Sequence, residues 1–470
     1  MSPVYILKVS SRDVQEKGSA HACLKDSSLN VLWYDPQGCI QSSSIDIVEQ
    51  LALLVVLVKL QQQSDFWTGW PDTELPGYSM IHKCAPRFQL VGRMTSCADL
   101  IAETENHMTG SATGIPGVEE AEYYFKSSWP EDSRPKENFV IEEAQRRVRQ
   151  YLPKQQQKFV LDHLPQVLLS KLVGKSCTAI VRDLLGLPTE GSRTQYLMVS
   201  KKLTGVRTIV DDYEMFKRVY LDIIRGTLIS VLASLLVLTF LAHWLLWQLG
   251  IAHSDISFHN LMIKNGTGIL NDFDLASIMD PGDASPSKMG HRRTGTAMFM
   301  SLDLLTADGV KGLVPRTYRH ELESFAWVLL YAALCVTDGK ENLNVLPFCD
   351  WVALSSINLG SQKSSFLMYA PENIKKWVKA PYQRPLLSTF AIWWEVLVAQ
   401  KRASYQDQIA SLPSDKDLLT RIFKVWEVQT AEWVDFKVLP GFPPNPNMPP
   451  LTGSTLEGVP EDLVEEPSMH

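Results

Sequence analysis

Short apolar runs separated by polar residues organise the most informative part of the chain, "GIAHSDISFHNLMIKNGTGILNDFDLAS" at 250–277. Ile251, Ile256, the triplet Leu261-Met262-Ile263 and the pair Ile269-Leu270 flank Asp255, Asn260, Asp272 and Asp274. Apolar runs this short read as buried strands, and the polar residues between them as loops gathered at one edge. The pattern predicts a site made of carboxylates and an amide.

Elsewhere the period changes. "SLNVLWYD", "RFQLVGR", "AEYYFKSSW" and "TQYLMVS" read as strands. "KENFVIEEAQRRVRQYL" at 136–152 sets Phe139, Val140, Ala144 and Val148 at near-helical spacing, and Pro153 stops it. "SIDIVEQLALLVVLVKLQQQ" also reads as a helix, and residues 206–437 are mainly helical, with Trp and Leu repeating in "HELESFAWVLLYAAL" and "FAIWWEVLVAQ". Four regions separate: an N-terminal extension (1–78), a small sheet (79–205), a helical part (206–437) and a Pro-rich acidic tail (438–470) that reads as disordered. No internal repeat is found.

Two apolar stretches raise a membrane reading. "LALLVVLV" at 51–58 is too short to span a bilayer. Residues 226–252 carry no Asp, Glu, Lys or Arg and are long enough by hydropathy alone. That run leads straight into His253-Ser254-Asp255, and a reactive loop cannot start at a bilayer surface while its partners lie elsewhere. A membrane is therefore not expected, and residues 226–242 read instead as an apolar insertion, a retained intron or part of a longer buried helix.

Composition narrows the classes. With 470 residues, 45% hydrophobic and 21% charged, the chain has the balance of a soluble globular protein with an ample core. The net charge of −7 and the lack of a long basic cluster argue against a nucleic-acid partner. Seven cysteines (23, 39, 84, 97, 177, 335 and 349) show no CxxC spacing, and the N-terminus has no secretory signal, which points to an intracellular protein, cytoplasmic or nuclear. Oligomeric state cannot be read from the sequence.

Chemistry follows from the spacing. A small sheet followed by a helical half, with acidic loops at the junction, suggests a two-lobed phosphotransferase. Phosphoryl transfer needs a carboxylate near the acceptor hydroxyl, and an amide and a second carboxylate to hold Mg²⁺ against the phosphates. Asp255, Asn260 and Asp272 suit those three roles. Their spacing is His-x-Asp-x-x-x-x-Asn followed twelve residues later by Asp-Phe-x.

Four ordered motifs, "HSDISFHN", "NDFDLAS", "RRTGTAMFMSLDLL" and "YRHELESFAWVLLY", resemble those of the fungal-type protein kinase family. "FQLVGRMTSCAD" and "YYFKSSWPEDSRPKENFVIEEA" upstream extend the likeness to about 30–435. The resemblance implies an α+β, two-lobed protein kinase-like fold, with a small antiparallel-sheet N-lobe and a mainly helical C-lobe. It implies ATP and Mg²⁺, a protein substrate, and transfer to a Ser or Thr hydroxyl.

By the same resemblance, Asp255 is the catalytic carboxylate, and Asn260 and Asp272 are metal ligands. Lys126 binds the α/β-phosphates, and Glu137 pairs with it, with Glu142 as the alternative partner. "LMVSKKL" is the hinge: Met198 lies behind the adenine, and Val199, Ser200 and Lys201 offer backbone groups. The glycine-rich loop, "VGRMTSCADL" at 91–100, keeps only Gly92. Departures are informative. Ser254 stands where most protein kinases have Arg, and Ser257 where a lysine commonly touches the transferring phosphate. His259 is a candidate to offset the second loss. Asp274 replaces a glycine and predicts a segment that does not flip. Asp303 is a candidate acidic anchor, and Glu321 a candidate support for the catalytic loop.

Two other readings stay open. Small-molecule phosphotransferases of the aminoglycoside and choline kinase type also lack the lysine at the Ser257 position, although the "RTGT" peptide platform at 293–296 favours a protein acceptor. A pseudokinase scaffold fits the weak glycine loop and the apolar run.

Overall fold

The computed structural model describes residues 4–11, 27–35, 37–41, 45–46, 78–83, 95–102, 122–225, 242–280, 295–406 and 413–425. It is a mixed α+β structure with a small antiparallel sheet and several helices. A first antiparallel sheet joins β1 (Val4–Ser11), β2 (Ser27–Asp35), β3 (Gly38–Gln41) and β4 (Ile45–Asp46). β2 is the strand expected from "SLNVLWYD". β4 corrects the helix expected over the next run at its start, where Ile45 pairs with Leu29. The remainder of that run lies outside the described residues, as do "RFQLVGR", Gly92 and the tail.

The second sheet positions the site. β5 (Tyr78–Lys83), β6 (Ser96–Ala102), β7 (Tyr123–Ser128), β8 (Val167–Cys177) and β9 (Thr194–Lys201) lie in the order β5-β6-β7-β9-β8, all neighbours antiparallel. Register decides which side chains share a face, because successive residues alternate across a strand. Lys126 is opposite Cys97 on one side and Met198 on the other. Phe125, Ala98 and Val199 turn to the reverse face, where they join Leu100 and Leu197 in a small core. β6 corrects the reading of 91–100 as a loop: residues 96–100 are strand, in alternating burial.

Helix α1 (Glu137–Tyr151) forms where the periodicity predicts, because Val140, Ile141, Ala144 and Val148 fall on one buried face. Pro153, beyond its end, begins the next turn and caps α2 (Lys154–Asp162). The Tyr196 hydroxyl on β9 accepts from the Asn138 N–H at 3.2 Å and donates to its Oδ1 at 2.9 Å, tying α1 to the Lys126 face of the sheet. Arg147 ties the other end of α1 to the carbonyls of Leu249 at 2.6 Å and Met279 at 2.7 Å. Gly250, φ +81°, is obligatory at that junction, because a Cβ there would strike the Met279 carbonyl and the Arg147 guanidinium.

After α3 (Thr178–Leu184), the larger core is helical: α4 (Tyr213–Arg225), α5 (Ala242–Gln248), α6 (Tyr318–Cys335), α7 (Ser356–Met368), α8 (Ala370–Trp377), α9 (Ala380–Gln406) and α10 (Asp415–Val425). α6 is buried nearly all round, as a central helix must be, and packs against α9 and α10. Thr317 and His320 close a capping box at its start. Between α5 and α6 the expected short strands appear: β11 (Ile251–Ala252), β12 (Leu261–Lys264), β13 (Thr267–Leu270) and β14 (Ser277–Ile278), β10 (Thr204–Gly205) pairing with β12. β12 and β13 form a hairpin across Asn265-Gly266, whose φ values of +51° and +76° suit a primed two-residue turn. Among the described residues no helix is long and apolar enough to cross a membrane.

Candidate functional site

Lys126, Glu137 and Asp272 come from β7, the first turn of α1 and the loop after β13, and they converge. The Lys126 Nζ lies 2.7 Å from Glu137 Oε2 and 2.6 Å from Asp272 Oδ1. A third carboxylate, Asp274, lies 2.7 Å from the same nitrogen. Glu142, the alternative partner, is exposed on the outer side of α1. Glu137 also accepts the Phe273 N–H at 3.1 Å, so the helix grips the Asp-Phe-Asp turn through backbone as well as charge.

Burial opposes the Lys126 ammonium, but Asp272, Asp274 and Glu137 outweigh it and hold the lysine well above its ordinary range. One positive charge cannot balance three carboxylates. Burial first, and then the two aspartates against the pull of Lys126, push Glu137 up to about 8. Carboxylate oxygens of Glu137, Asp272 and Asp274 lie within 4.8 Å of one another, a donor set of hard oxygens with surplus negative charge. The Lys126 ammonium sits among all three, so the member that Mg²⁺ could draw on is Asp272, whose side chain is 28% exposed and faces solvent.

The segment 253–260 is tied to the residue before Asp272, where Asn271 donates its N–H to the Asn260 carbonyl at 2.9 Å. His253 Nε2 meets the Asn271 carbonyl at 2.9 Å, and its Nδ1 accepts the Asp255 N–H at 3.3 Å. This pattern assigns a neutral ring with the proton on Nε2, in agreement with burial holding its pKa below the ordinary value. Asn260 donates from Nδ2 to the Asp255 carbonyl at 2.8 Å, so its Oδ1 is the atom that could accept a cation. Asp255 Oδ1 accepts both the N–H and the hydroxyl of Thr296, at 2.7 and 3.0 Å.

Ser254 is left-handed, φ +68°, a conformation costly for a non-glycine residue. Its N–H is taken by Glu321 Oε1 at 2.7 Å, and its carbonyl accepts from Arg316. Glu321 is in turn bonded to His243 Nε2 at 2.7 Å, with both side chains almost fully buried. Glu321 was expected at the loop; Arg316 and His243 were not. One of two arginines in "VPRTYRH" and a lone histidine after an apolar run give no periodic or motif signal.

The turn following Thr296 is also anchored. Lys363 on α7 donates to the Met298 carbonyl at 3.1 Å and to the Met300 carbonyl, with its ammonium 4.1 Å from the centre of the Trp327 ring. Asp303 meets Arg319 at 2.9 Å, His320 at 3.2 Å and Gln400 at 2.8 Å. Glu323 accepts the Leu302 N–H. Arg293 and Thr294 lie outside the described residues. His259 points to Glu341, at 2.9 Å, and so serves as a hydrogen-bonding residue in this arrangement.

The remaining expected residues divide. Met198 shares the Lys126 face as its cross-strand neighbour. The Val199 side chain belongs to the reverse face, in the small core. Lys201 already donates its N–H to Gln166 at 3.0 Å, and Lys202 donates its own to Glu122 at 2.9 Å, because β9 is an interior strand. Lys201 therefore has no amide proton left for a ligand. Its ammonium sits 4.2 Å from the centre of the Tyr123 ring.

Residues 226–333 match the model of a family described as fungal protein kinase. The match supports a fungal-type protein kinase family and points to kinase-like phosphotransfer. It covers Asp255, Asn260, Asp272, Asp274, Thr296, Arg316 and Glu321, while Lys126, Glu137 and Met198 precede it. No curated protein matches the chain.

Proposed function

We propose that the chain is an ATP-dependent protein kinase of two-lobed architecture that transfers the γ-phosphate to a Ser or Thr hydroxyl of a protein substrate. The observation that carries this reading is the convergence of Lys126 with Glu137 and Asp272, residues 11 and 146 positions away in sequence. A structural salt bridge needs one partner. Here a buried lysine joins a helix carboxylate and a part-exposed carboxylate from the loop after β13.

In this reading Lys126 holds the α/β-phosphates, and Met198, its cross-strand neighbour on the same sheet face, bounds the adenine. Asn260 Oδ1 and Asp272 are the oxygens that would hold Mg²⁺, which when bound neutralises charge on the phosphates. Asp255 orients the acceptor hydroxyl and takes its proton. Thr296 fixes the rotamer of Asp255 and carries the 297–300 turn alongside it, which favours a peptide over a small-molecule acceptor. With Ser257 in place of a lysine, the chain supplies less positive charge for the transition state, so the metal and Lys126 carry more of that load.

The negative charge disfavours nucleic acid as the partner, and the scattered cysteines suit an intracellular setting, cytoplasmic or nuclear. The test is incubation of the purified chain with γ-labelled ATP, Mg²⁺ and a generic protein substrate, beside Asp255→Asn and beside aminoglycoside and choline acceptors. Label on Ser or Thr of the protein, lost in Asp255→Asn, is expected. Label on the small acceptors alone selects the small-molecule reading, and nucleotide binding without any transfer selects the scaffold.

A further inference from the structure

The three carboxylates around Lys126 are not equivalent. The Asp272 side chain is 28% exposed, whereas those of Glu137 and Asp274 are 1% and 2% exposed. A metal arriving with nucleotide can draw on Asp272 from solvent. Glu137 and Asp274 are closed off behind the lysine, and moving either would strand a buried charge. They also reach the ammonium from different elements: Glu137 from α1, and Asp274 from the single 3-10 turn Phe273–Leu275, which has its own place in the chain and also meets Glu137 through the Phe273 N–H.

Building on the kinase reading above, we propose that Asp274 is a positioning residue: a second permanent anchor for Lys126 that holds the lysine in place when Asp272 turns to the metal and when Glu137 is lost. A lysine held by one helix carboxylate is released as soon as that helix moves. Lys126 is held from two sides, so displacement of α1 does not by itself free it. The same contact keeps the Asp-Phe-Asp turn inward, because flipping the turn would take Asp274 away from the Lys126 ammonium 2.7 Å from it.

The experiment uses the full chain as parent, Glu137→Gln, Asp274→Asn and the double variant, with melting temperature as the control for folding. Lys126 reactivity toward an acetylating N-hydroxysuccinimide ester is read by peptide mass spectrometry without nucleotide, and kcat and KM for Mg·ATP are read separately. Each single variant is expected to raise the Lys126 labelling rate and the KM for ATP a few-fold. The double variant is expected to exceed the product of the singles by about tenfold, the signature of two anchors substituting for each other. Asp274→Glu should restore part of the protection, which a change in packing alone would not do. Labelling in the double variant equal to that of Glu137→Gln overturns the proposal, as does full release of Lys126 by Glu137→Gln alone. A parent that shields Lys126 but binds no Mg·ATP refutes the kinase reading and leaves the anchor established.

Discussion

On the sheet side of the site Lys126 is held through its own ammonium by three carboxylates, whereas on the helical side Ser254 is held through its backbone, its N–H by Glu321 and its carbonyl by Arg316. The first arrangement depends on charge and responds to any added cation. The second depends on peptide geometry and does not involve the side chain at 254. A serine can therefore occupy a place where an arginine is usual, because what fixes the loop there is the main chain.

The sharpest way to separate the two sides is to remove one functional group from each. Asp255→Asn is expected to lower phosphoryl transfer roughly 100- to 10,000-fold with nucleotide affinity nearly unchanged, since metal and lysine contacts stay. Asp272→Ala is expected to weaken Mg²⁺-dependent ATP binding by at least about tenfold in a calorimetric titration. Equal ATP affinity in Asp272→Ala and Asp255→Asn would erase the distinction.

Breaking the backbone clamp tests stability. Glu321→Ala strands the Ser254 N–H and the His243 ring in a buried site, and is expected to cost roughly 3–5 kcal/mol in chemical denaturation, more than any single carboxylate removed from the edge of the site. A loss below 1 kcal/mol, on that roughly calibrated scale, would mean that the clamp does not hold the loop.

A milder change concerns the run between α4 and α5. These helices contact each other, and Arg225 and Ala242 bound the stretch whose structure is not described. Deleting residues 226–242 joins Arg225 to His243 and keeps the His243–Glu321 bond available. The shortened chain is expected to be more soluble and to bind ATP as the parent does, because an uncharged run of this length favours aggregation when exposed. A lower melting temperature or lost ATP binding would assign the run to the fold.

The smallest effect is expected away from both arrangements. The His259 hydrogen bond and then Tyr331, against partial burial, pull Glu341 down to about 2. A depressed carboxyl stabilises the fold above its ordinary pKa and loses that contribution as pH falls from about 4.5 toward 2. Solvent screening limits it to about 1 kcal/mol, so Glu341→Gln should flatten the acid limb of a stability profile by no more than that.

Much of this site was legible because its residues sit in short spacings. Asp255, Asn260 and Asp272 fall within one run of alternating apolar strands, and Glu137 opens a helix whose periodicity is plain. Lys126 could be placed only by its strand. Strands β5 and β8 were not anticipated: β8 carries Lys171 and several exposed leucines at a sheet edge, so it lacks the clean alternation of a half-buried strand. The facing of the Val199 side chain and the pairing of the Lys201 amide were not legible, because the parity and pairing of an interior strand are set by neighbours distant in sequence. Arg316, His243 and Lys363 act through backbone carbonyls or through one buried carboxylate, contacts that no local pattern encodes.

Trp327 lies fully buried on α6, with the Lys363 ammonium over its ring and its indole N–H donated to Glu323 at 3.0 Å. Those two neighbours also hold the carbonyls of Met298 and Met300 and the N–H of Leu302. The indole is thus wired to the 297–302 turn and makes a built-in spectroscopic reporter of it. Among the 13 tryptophans of the chain, a fluorine label resolved at position 327 by NMR would shift when a peptide seats against the 297–302 turn, and would sense docking without any turnover.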